Sequence, residues 1–90
     1  MKDVVQNTCT ANEEKIFVMQ NKRSQFLVKN FTGATIKAYL GDNKTFSMIG
    51  ANSWERVFNN YDNDGNVESV NKVRILAEQD GIVEVASIDY

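Results

Sequence analysis

A rhythm of two residues constrains this chain more than any other feature. In Thr35-Ile36-Lys37-Ala38-Tyr39-Leu40 the apolar Ile36, Ala38 and Leu40 alternate with Thr35, Lys37 and Tyr39, and an extended strand sends such alternate side chains to opposite faces. Comparable runs rich in β-branched and aromatic residues occupy 15–20, 24–31, 44–49, 53–58, 73–78 and 82–88. Between them stand Thr32-Gly33, Gly41-Asp42-Asn43, Gly50-Ala51-Asn52 and Asp80-Gly81. These residue types accept positive φ or bond back to their own backbone, and so punctuate strands. The spacing predicts an all-β domain, a small antiparallel β-sandwich or partly open barrel of about seven short strands. The core expected from the alternation is Phe26, Val28, Ile36, Leu40, Phe46, Trp54, Phe58, Ile75 and Val85, with Arg56 at its rim.

Residues 1–14 are mostly small, polar or charged and read as an N-terminal arm preceding a single β domain over 15–90. Thr10 and Glu13 also fit a helix-capping box, so a short helix from Ala11 to Gln20 competes with a strand there. Near the C-terminus, Asp80-Gly81 has the composition of a type I′ hairpin turn, which would set Leu76 opposite Val85 and Ile75 opposite Ala86. Such a hairpin is apolar on both sides, with Leu76, Val83 and Val85 sharing one of them. A second apolar side needs a second cover, from the same domain or from another chain. Leu76, Val83 and Val85 are therefore interface candidates, joined by Tyr39 and Tyr90 because tyrosine is a frequent interface anchor.

What the chain lacks bounds its chemistry. Its 90 residues include no His, no Pro and one Cys. Acid/base work near neutral pH would then rest on shifted carboxylates or lysines, and no spacing forces a pair among Glu55, Glu68, Glu78 and Glu84. No glycine-rich phosphate cradle is present. These observations point to a non-enzymatic protein with no cofactor and no metal. Cys9 has no partner for an intramolecular disulfide, which suits a reducing compartment. The start of the chain has no signal-peptide pattern and no apolar run nears the ~20 residues that cross a bilayer, so the expected location is the cytoplasm of the producing cell. A formal charge of -2 offers no attraction to nucleic acid or to an anionic membrane. A domain of this length buries only about 60% of its unfolded surface, which leaves protein partners, in a homo-oligomer or larger assembly, as a source of added stability.

One loop has the residues of a ligand site. Asn60-Tyr61-Asp62-Asn63-Asp64-Gly65-Asn66 matches the later positions of a calcium-binding loop through Asp62 and Asp64. It has Asn60 in the first ligand position and Asn71 in the twelfth, where the calcium loop has Asp and a bidentate Glu. The same composition builds a solvated turn with no ion. Tyr61, Asp62 and Asp64, together with Tyr39 and Trp54 as stacking surfaces, form the alternative function, a carbohydrate-binding module assisted by calcium.

Val28-Lys29-Asn30-Phe31-Thr32-Gly33 leading into Ile36-Lys37-Ala38-Tyr39-Leu40, then Ile49-Gly50-Ala51-Asn52-Ser53-Trp54-Glu55, then Gly81-Ile82-Val83-Glu84-Val85 together resemble small β-rich accessory proteins encoded in the structural gene clusters of tailed phages and prophages. The resemblance covers roughly residues 26 to 88 and leaves the N-terminal arm outside. It implies a non-enzymatic virion component that assembles through surface contacts, often as an oligomer, and resides in the virion when phage-derived. No residue-specific site is implied by it.

Overall fold

The computed structural model describes residues 3–58 and 69–87, which form eight β-strands and no helix. They are β1 (Val4–Cys9), β2 (Glu14–Arg23), β3 (Gln25–Asn30), β4 (Ile36–Leu40), β5 (Ser47–Ile49), β6 (Trp54–Phe58), β7 (Val70–Ala77) and β8 (Gly81–Ser87). One sheet has the order β1-β8-β3-β6 and the other β2-β7-β4-β5, with every pairing antiparallel. Apart from β4 and β5, each strand is followed by one in the opposite sheet. Strands consecutive in the chain therefore face each other across the interior, and this is the jelly-roll arrangement of a β-sandwich.

Alternation places the core. Ile36, Ala38 and Leu40 are buried as their spacing predicts, and Phe26 and Val28 of β3, Phe17 and Met19 of β2, and Val73, Ile75 and Ala77 of β7 join them. The turn at Gly41-Asp42-Asn43 is also where the sequence sets it: Asn43 N–H donates to the Leu40 carbonyl at 3.1 Å, and Gly41 holds φ +59°.

Several expectations are corrected. Asp80-Gly81 is not a hairpin turn, because β7 and β8 lie in different sheets and the chain crosses the sandwich there. Ile75 accordingly pairs with Ala38 and Lys15, and Val85 with Val5 and Val28. Val83 and Val85, expected on a partner-facing side, are fully buried in the core, because a strand whose sheet backs onto another turns its apolar alternation inward. Phe46, Trp54 and Phe58 are exposed, and Val57 is the inward residue of β6. The segment expected as an arm contains β1, which pairs along its length with β8. A turn at Ala11-Asn12 and strand β2 stand where the competing helix was considered. β2 runs on through Asn21, Lys22 and Arg23.

Strand polarity puts the β1–β2, β3–β4, β5–β6 and β7–β8 connections at one end of the sandwich, and Asn30 ties two of them together. Its buried amide donates to the carbonyls of Ala34 (2.8 Å), Ile49 (3.1 Å) and Gly50 (2.9 Å). Its carbonyl oxygen accepts from the Thr32 N–H and hydroxyl at 2.9 and 2.6 Å. Asp80 closes the other two connections, its carboxylate accepting the Ala11 N–H at 2.7 Å.

Candidate protein-contact edge

The two lateral edges of the sandwich differ. At one, β1 runs beside β2, whose pairing with β7 breaks register between Val18 and Arg23. In that break the N–H groups of Gln20 and Asn21 both donate to the Asp3 carboxylate, at 2.6 and 3.2 Å. Asp3 is anchored in turn to the other sheet, its carbonyl accepting the Ser87 N–H at 2.8 Å. This edge is latched across both sheets.

The opposite edge is formed by β5 and β6, which have no outer neighbour among the described residues. Four large apolar side chains stand exposed on it: Trp54 (67%), Phe58 (61%), Met48 (56%) and Phe46 (44%). Since β5 has only three residues, the distal half of β4 is left without a strand beside it. A cleft of about 190 Å³ opens there, with Ala38, Leu40 and Val57 at its floor and Phe46 and Phe58 at its walls.

The outer face of the β2-β7-β4-β5 sheet continues from this edge. Arg74 lies 4.7 Å over the Tyr39 ring, Tyr39 meets Phe46 with centroids 5.4 Å apart, and the Lys37 ammonium is 4.8 Å from the Phe46 ring. Arg74 also donates through Nε to the Gly41 carbonyl at 2.8 Å, through Nη2 to the Asn43 carbonyl, and pairs with Glu14 at 3.3 Å. Its guanidinium thus ties the β4–β5 turn to β7.

Leu76 and Tyr39 come together on this face, where Leu76 sits half-buried opposite Lys37, and Tyr39 opposite Arg74. Val83 and Val85 are in the core. Tyr61, Asp62, Asp64 and Tyr90 lie outside the described residues, as does the calcium-like loop. One face of Tyr39 is under Arg74. Phe46, Trp54 and Phe58, expected in the core from the alternation, are exposed. Each side of β6 has one charge, Arg56 beside Trp54 and Phe58 and Glu55 beside Val57, so the strand's own residues do not tell which side turns inward.

Two titratable groups are shifted. The hydrogen bond and charge of Lys72, 2.7 Å away, hold the Asp42 carboxyl below its ordinary range. Burial pushes the Cys9 thiol up, against the opposing charge of Lys15. Among the described residues, no three His, Cys, Asp or Glu side chains come together as a metal-binding group. No helix of these residues is long and apolar enough to cross a membrane.

Fold and surface together define a class: a small antiparallel jelly-roll sandwich with aromatic side chains exposed along the edge that β5 and β6 form. No family model, curated protein or solved structure matches the chain.

Proposed function

We propose that the protein is a non-enzymatic structural module of a phage or prophage particle, acting through protein–protein contacts. The observation that carries this reading is the β5–β6 edge, where Met48, Trp54 and Phe58 on the strands and Phe46 just before β5 stand exposed, with no outer neighbour to either strand among the described residues. Solvated strands at a sandwich edge are usually blunted by charge, proline or bulges, and large apolar groups gathered there mark contact surfaces. The jelly-roll order adds an analogy of architecture, since viral capsid domains share it, although the same order serves lectins and enzymes and does not fix a function.

The test is the composition of purified particles. After prophage induction in the producing cells, mass spectrometry of density-gradient-purified particles is expected to recover the chain at a fixed ratio to the major shell protein. A chain abundant in the cells and absent from the particles would overturn the reading.

A further inference from the structure

The cleft at the β5–β6 edge opens onto the core. Ala38, Leu40 and Val57 at its floor are core side chains drawn from both sheets. It exists because β5 has three residues and pairs with β4 no further than Ala38. We infer that this cleft is a pocket for one neutral aromatic ring, the side chain of a tyrosine presented by the protein's assembly partner. The inference deepens the reading above and rests on it.

Three properties of the lining select that occupant. The first is charge. None of the described lining residues is ionisable, and the Lys37 ammonium, although 4.8 Å from the Phe46 ring, is not among the lining groups. A carboxylate or ammonium entering the cleft would lose water and gain no opposite charge from its walls, so the occupant is neutral. The second is size. An apolar cavity of about 150 Å³ accommodates benzene, whereas pockets for drug-sized ligands start at about 300 Å³. At about 190 Å³ the cleft holds a single ring with a small substituent. The third is the kind of surface. Phe46 and Phe58 line it with rings, which meet another ring in offset or edge-to-face contact. Thr45 and Ser47 add hydroxyls, with which a phenol O–H can pair. Tyrosine is the neutral one-ring side chain that carries a hydroxyl.

The surroundings favour a tyrosine held in a chain over a free phenol. Met48 and Trp54 stand exposed on the two strands that border the cleft. A polypeptide bearing the tyrosine covers that apolar surface, and a free phenol leaves it in water. An aromatic anchor seated in a pocket and ringed by weaker contacts is the usual form of an interface hot spot.

The test is an amide-resolved NMR titration of the full chain with three probes. The blocked tripeptide N-acetyl-Gly-Tyr-Gly-amide and 4-methylphenol, the tyrosine side chain alone, are expected to shift the Ala38, Leu40 and Val57 amides saturably. The tripeptide should do so with a Kd of about 1 mM, and the phenol no more tightly. 4-Methylbenzoate, similar in size but charged, is expected to bind at least about tenfold more weakly. Ser47→Leu fills the cleft from β5 and should abolish the shifts. Thr45→Val, at an exposed position, should weaken tripeptide binding about fivefold and leave the melting temperature unchanged. No saturable shift, shifts centred elsewhere, equal binding of the benzoate, or binding untouched by both variants would each overturn the inference. Binding of the phenol with exclusion of the tripeptide would overturn it in favour of a free small molecule. A chain recovered in particles that takes neither probe removes the tyrosine pocket and leaves the assembly reading, whereas tripeptide binding by a chain absent from particles does the reverse.

Discussion

Asn30 is a small side chain with a large structural task. Its amide satisfies carbonyls from two connections, and its oxygen satisfies both polar hydrogens of Thr32. Asn30→Ala strands these groups where water has little access, and urea unfolding is expected to show a loss of about 3 kcal/mol. Cys9 shows the opposite chemistry, an inward thiol with no exposed surface. Because burial raises its folded pKa, its contribution to stability is whole below the ordinary thiol value of about 8.5 and is lost as pH climbs through the raised value. Melting temperatures measured on the alkaline side should therefore fall more steeply for the natural chain than for Cys9→Ala. Asp42 has the reverse sign. Its lowered carboxyl stabilises above the ordinary carboxylate range and loses that effect as pH falls, but it is solvent-exposed and its pair with Lys72 contributes little.

Two glycines distinguish space from backbone freedom. Gly41 takes φ +59°, which only glycine adopts without strain. Gly81 does not, and its need is room: an added Cβ would lie 2.9 Å from the Thr32 Cα, on backbone that Asn30 holds in place. Gly81→Ala is expected to cost about 2 kcal/mol by denaturant titration. That difference also explains why Asp80-Gly81 misled. The dipeptide has hairpin chemistry, but here the Asp caps a neighbouring turn and the Gly permits a close approach, both long-range facts invisible in local spacing. β4 was legible because its polar and apolar residues separate cleanly. β6 was half legible: its alternation is right, but each side has one charge, and the packing of Val57 under the facing sheet decides which side turns inward. Val57→Asp is expected to destabilise by about 3 kcal/mol, while Trp54→Lys should stay within about 0.5 kcal/mol, and equal effects at both positions would contradict the orientation of β6. β1 was hidden because an edge strand with Cys9 its one fully buried residue has little apolar signature, and its pairing with β8 decides its conformation.

At the scale of the molecule, β4–β5 is the one pairing between strands adjacent in the chain. All the others close long loops before they gain contacts, so stopped-flow refolding is expected on the millisecond-to-second scale rather than in microseconds. Asp3 has a foothold on both sheets, its carboxylate on the Gln20 and Asn21 N–H groups and its carbonyl on the Ser87 N–H. With Asp3→Ala those two amides lose their acceptor, and hydrogen-exchange NMR is expected to find Gln20 and Asn21 exchanging faster while the β3–β6 amides stay unchanged. One acidic side chain thereby fastens the entry of β1 to the sheet that β1 does not belong to.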